Sequence, residues 1–135
     1  AAPGDPLGRA SRGVITLCRM LTDMHEALWD SAIRRSVDAR SRGIRYHWSE
    51  ALTVAGDAVR RAGAAKELDA LAERVRALAR NDGSDAAIDT AVCASEMIGL
   101  AKEPTGSLNE YRTRVSETKS RCERSILKLE IASSR

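Results

Sequence analysis

The sequence predicts an all-α fold, an elongated up-and-down antiparallel four-helix bundle. Three observations support that expectation. The composition is built on Ala, Leu, Arg and Glu, the strong helix formers. It holds no Phe and only Trp29, Trp48, Tyr46 and Tyr111 as aromatics, where strands would draw on aromatic and β-branched residues. Apolar residues recur at alternating three- and four-residue spacing through long segments, the period of one helix face. Short clusters of Gly, Pro, Asn, Asp and Ser separate those segments, and helices joined by short loops pack most simply as antiparallel neighbours. At 135 residues, 43% of them hydrophobic, the chain has the size of one domain and enough apolar material for a core.

Residues 1–10 read as a flexible N-terminal arm, because Pro3, Gly4, Pro6 and Gly8 disfavour a regular element. Residues 11–135 then form a single helical-bundle domain. The first helix is expected from about Ser11, a candidate N-cap, to about Arg40. Its stripe is Val14, Leu17, Cys18, Leu21, Met24, Leu28, Trp29, Ala32 and Ile33. Gly43 breaks the pattern, and a second stripe of Ile44, Trp48, Leu52, Ala55, Val59 and Ala62 follows. After Gly63 it resumes with Leu68, Leu71, Ala72, Val75, Leu78 and Ala79. Gly63 costs about 1 kcal/mol in a helix interior, but no Asn or Pro stands beside it to make a turn, so one long or kinked helix from about Ile44 to Arg80 is preferred over two.

Asn81-Asp82-Gly83-Ser84 is a stop and restart, with Gly83 suited to a left-handed C-terminal residue and Ser84 or Asp82 to capping. The third helix, about Asp85 to Lys102, would bury Ala87, Ile88, Ala91, Val92, Ala94, Met97, Ile98 and Ala101, and its alanines would admit a close neighbour. Beyond the loop Glu103-Pro104-Thr105-Gly106-Ser107, Ser107 and Glu110 have capping-box spacing. The last helix carries a heptad seam of Leu108, Tyr111, Val115, Thr118, Cys122, Ser125 and Leu129, with Ile126 and Ile131 beside it.

The net charge is +3, from 22 basic against 19 acidic residues, too balanced to be a nucleic-acid footprint by itself. Cys18, Cys93 and Cys122 have no close spacing, which excludes zinc ribbons, redox CxxC pairs and CxxCH haem sites as local motifs. Each lies on the apolar stripe of a different helix, so free thiols and no disulfide are expected, although Cys18 and Cys122 would be neighbours in an antiparallel bundle. The odd count points to a reducing, cytoplasmic compartment, while the lack of an initiating Met leaves a removed signal peptide open. No apolar run approaches the roughly 18 residues of a membrane span. Neither His25 nor His47 follows a Glu at di-iron spacing, Met20, Met24 and Met97 read as core filler, and no phosphate-binding or nucleophile motif occurs. No metal and no cofactor are expected.

The densest unusual cluster surrounds Gly43: Arg40, Arg42, Arg45, Tyr46, His47 and Trp48. Arginines with aromatics are the composition of an interaction hot spot, or of a phosphate and base-stacking surface. Arg42 and His47 also stand with four residues between them, a spacing that resembles the Arg-x4–6-His signature of HEPN-type helical ribonucleases. That resemblance implies RNA cleavage by the pair. It covers six residues of 135, and it departs from the family in having Gly43 after the arginine and in lying near the first inter-helix junction rather than near the chain end. With no convergent catalytic constellation, the expected function is a non-enzymatic helical module that binds another protein as an adaptor, targeting or effector domain. The alternatives are nucleic-acid or anionic-membrane binding through the arginine-rich segment 34–45, and then the HEPN-like ribonuclease.

Overall fold

The computed structural model describes residues 5–43, 63–104 and 107–133, and 92% of these are helical. The described residues form four helices, α1 (Asp5–Ser41), α2 (Ala64–Asp82), α3 (Asp85–Lys102) and α4 (Leu108–Ser133). At 1.5 Å per residue α1 is about 55 Å long and α3 about 27 Å. Among the described residues no helix is long and apolar enough to cross a membrane.

Helix ends follow local chemistry, with two corrections. α1 begins at Asp5, not at Ser11, so the second half of the expected arm is helical. Pro6 suits a first turn, where its missing N–H would have had no partner, and Leu7 is already buried. Residues 1–4 of that arm lie outside the described residues. The expected helix from Ile44 to Arg80 is not continuous either: Gly63 has a left-handed φ of 75°, incompatible with a helix interior, and α2 starts after it. Residues 44–62, including Leu52 and Trp48 of the expected stripe, lie outside the described residues. At the other end of α2, Gly83 is left-handed and its N–H returns to the Ala79 carbonyl at 2.8 Å. The Ser84 side chain accepts from the Ala87 N–H at 3.2 Å and starts α3. Ser107 and Glu110 form the expected reciprocal capping box at the head of α4.

The helices alternate in direction. Arg12 grips Glu130 through two hydrogen bonds of 2.7 and 2.8 Å at one end of the α1/α4 pair, and Trp29 meets Tyr111 at the other, ring centroids 5.5 Å apart. Lys102 at the end of α3 reaches Asp69 near the start of α2, at 2.7 Å. α3 touches all three other helices, including α1 across the diagonal, whereas α2 and α4 make no contact among the described residues. Ala87, Ala94 and Ala101, one heptad apart and all buried, let α3 come close enough.

The core face of α1 differs from the expected one. Leu7, Ser11, Val14, Cys18, Thr22, His25, Trp29 and Ala32 are buried at 3-4 spacing, while Leu28 is 43% exposed and Met20 and Met24 also face outward. Three polar residues interrupt this seam, so a search for apolar residues slides onto the neighbouring stripe. Thr22 satisfies its hydroxyl on the Arg19 carbonyl at 3.1 Å. His25 donates from Nε2 to the Ala101 carbonyl at 2.8 Å. Ser11, expected as a cap, is buried inside the helix. On α3, Ile88 and Val92 are exposed rather than buried. The α4 seam is buried throughout as expected, with Ile126 inside and Ile131 outside.

A disulfide joins Cys93 of α3 to Cys122 of α4, Cα atoms 5.3 Å apart, which overturns the expectation of three free thiols. Each cysteine does lie on the apolar face of its helix, but the α3/α4 register sets these two opposite one another. Cys18 stays free and buried, and burial pushes its thiol up to about 12, which makes it inert.

Two outcomes check this packing. Trp29→Ala should lower the unfolding free energy by about 3–5 kcal/mol in a denaturant melt, and Leu28→Ala by about 1 kcal/mol or less; comparable losses would place the core face elsewhere. Reduction of the disulfide, which closes a loop over a sequence separation of 29, should cost about 3–4 kcal/mol. Alkylation of the denatured, unreduced chain should modify Cys18 alone; modification of all three cysteines would contradict the bridge.

Candidate functional site

Of the six residues expected to form the site, the structure describes two. Arg40 is exposed in the last turn of α1, eight residues and about 12 Å beyond Ala32, the last buried residue described on that helix. Arg42 follows in the turn that ends at Gly43, and its guanidinium lies 3.6 Å from the Asp38 carboxylate. Arg34 likewise pairs with Asp30 one turn back. Such exposed i,i+4 pairs contribute only tenths of a kcal/mol and leave the helix end solvated. Arg45, Tyr46, His47 and Trp48 lie outside the described residues.

A better-formed site runs along the seam between α3 and α4. α3 is apolar on its inner face and uncharged on its outer one, where Ile88, Val92, Ser95 and Gly99 stand at 4-3-4 spacing. Ile88 is 50% exposed and Val92 53%. Aliphatic side chains exposed one turn apart on a helix whose inner face is already buried make an apolar surface open to contact. Beside this stripe a groove of about 680 Å³ is walled by Glu96 and Gly99 of α3, by Glu103 just past its end, and by Arg114, Glu117, Arg121 and Arg124 of α4. A second depression of about 420 Å³ continues it past Asp89, Val92 and Lys128. The two share Arg121 and Arg124, and Cys93 of the disulfide lines the second.

The banks of the groove carry opposite charge. Asp89 and Glu96, with Glu103 just past the helix end, form the α3 bank, and Arg121, Arg124 and Lys128 stand on the α4 bank, where Glu117 is the one acidic side chain among them. Arg121 bridges to Glu96 across the seam. Arg124, Lys128, Asp89 and Glu103 are exposed and have no ion-pair partner among the described residues. Such a surface can bury apolar side chains along α3 and pair charges on both flanks.

The groups whose acidity is clearly altered lie away from the groove. Burial raises the Cys18 thiol, and burial followed by the Glu26 charge raises the Tyr111 hydroxyl, which donates to the Leu100 carbonyl at 2.6 Å. The hydrogen bond from Arg12 holds the Glu130 carboxyl below its ordinary value, so that pair is intact at neutral pH and is lost as pH falls through the lowered value. Among the described residues no group of three His, Cys, Asp or Glu side chains is placed to hold a metal ion.

Sequence reasoning missed the groove because its two banks lie on different helices. One signal was present: the 4-3-4 spacing of Ile88, Val92, Ser95 and Gly99 is a second seam on α3, parallel to the one formed by its alanines. No protein-family model, curated protein or solved structure matches the chain, so the chemistry of the groove is what carries a functional reading.

Proposed function

We propose that the chain is a non-enzymatic helical interaction module that binds another protein across the outer face of α3 and the groove beside it. The observation that carries this reading is the exposed Ile88–Val92 stripe beside a groove on which Asp89 and Glu103 face Arg124 and Lys128, all four without an ion-pair partner among the described residues. Apolar positions at heptad spacing with charged flanks are how one helix seats another. The balance of signs along the groove supports a protein partner over nucleic acid or an anionic membrane, either of which would favour an unbroken basic surface. The disulfide supports an oxidising working compartment over the cytoplasm.

Val92→Arg should abolish capture of the partner from the source cell without changing helicity, because Val92 is half exposed. The double variant Arg40→Ala, Arg42→Ala should leave capture intact, as should nuclease treatment. Capture that survives Val92→Arg but disappears with nuclease, or with the arginine pair removed, would return the function to segment 34–45.

A further inference from the structure

We infer that the occupant of this surface is a second copy of the same chain, docked antiparallel across α3. The inference rests on the interaction-module reading and supplies its partner. Ile88 and Val92 fill the first half of the exposed stripe, while Ser95 and Gly99 leave the second half hollow. Both pairs are symmetric about the midpoint between Val92 and Ser95. A copy turned about a two-fold axis through that midpoint sets its Ile88 over Gly99 and its Val92 against Ser95, and the reverse contacts follow from the symmetry. Large side chains meet small ones at every level of the seam.

Gly99 is a second and independent pointer. It sits inside α3, where glycine costs up to about 1 kcal/mol against alanine. No neighbour among the described residues requires it: a Cβ built there meets no atom within 4 Å. A helix from outside, approaching at Gly99 with an isoleucine, does explain it.

The charges fit the same arrangement. In an antiparallel pair each helix presents the same edge to its mate, so the acidic edge of one α3 comes down over the α4 bank of the other. There Arg124 and Lys128 have no ion-pair partner among the described residues, and Arg124 lies within about one helical turn of the level of the copy's Glu96, which its own Arg121 already bridges. α3 has 18 residues, so the contact falls at the small end of interface sizes, where association is weak and reversible.

Sedimentation velocity of the oxidised, full chain at roughly 5 to 500 µM tests this across the range such an interface supports. The mass should rise from monomer to dimer with concentration. Val92→Arg and Gly99→Leu should each weaken dimerisation at least tenfold. Gly99→Leu separates an interface from a folding effect: the open space around Gly99 accepts the side chain, and the exchange favours the helix, so thermal stability of the monomer should hold or rise while the dimer is lost. A chain that stays monomeric throughout, or a dimer indifferent to both variants, overturns the proposal. If the wild type is monomeric and Val92→Arg still abolishes capture of a different protein, the second copy is excluded and the interaction-module reading survives.

Discussion

The close approach of α3 to α1 is the constraint on which the rest of the bundle depends. In a square arrangement of four helices neither diagonal closes. Here Ala87, Ala94 and Ala101 remove the side-chain bulk that would hold the two helices apart, so one diagonal closes and the other opens. α2 and α4 are parted as a result, and α3 is held on three sides. Its fourth side carries no other helix among the described residues, and the groove lies between it and α4. The alanines on the inner face and the apolar stripe on the outer one are thus two consequences of a single placement.

That placement also satisfies two carbonyls at the end of α3, while the buried Ser11 hydroxyl and His25 Nδ1 have no hydrogen-bond partner among the described residues. The last carbonyls of a helix have no partner within it, and leaving them unsatisfied in a core costs on the order of 1–3 kcal/mol each. His25 reaches from α1 to the Ala101 carbonyl, and Tyr111 reaches from α4 to the Leu100 carbonyl, so two neighbouring helices cap α3 from opposite sides. Trp29 packs on Tyr111 and keeps water from that end. At the opposite end the Arg12–Glu130 clamp sets the register of α1 against α4, and between the two ends the disulfide pins α3 to α4. Each helix is therefore indexed by a directional contact as well as by hydrophobic burial.

Much of this was legible in the residues. The α4 seam, the Gly83 stop, the Ser84 cap and the Ser107–Glu110 box all depend on chemistry within a few residues, and each stands where the spacing places it. The α1 face was not legible, because the property that buries His25 is a carbonyl at the end of another helix, while the apolar Met24 and Leu28 beside it offered a better local pattern. Gly63 misled for a related reason: a left-handed glycine needs no Asn or Pro beside it. α3 is apolar on both faces, so periodicity could not say which face was inside. The groove became visible only when Arg124 and Lys128 were set beside Asp89 and Glu103, some thirty residues away in sequence. Arg40 and Arg42, conspicuous as a run, lie on a solvated helix end.

The central claim is that the outer face of α3, and no other apolar patch, is where the molecule meets its partner. Methyl NMR on the oxidised chain at increasing concentration tests it most directly, because the exposed Ile88 and Val92 of α3 and Leu127 and Ile131 of α4 are all reporters in one spectrum. The account expects the methyl resonances of Ile88 and Val92 to shift with concentration while those of Leu127 and Ile131 stay fixed. Shifts confined to Leu127 and Ile131, or equal at all four residues, would contradict it.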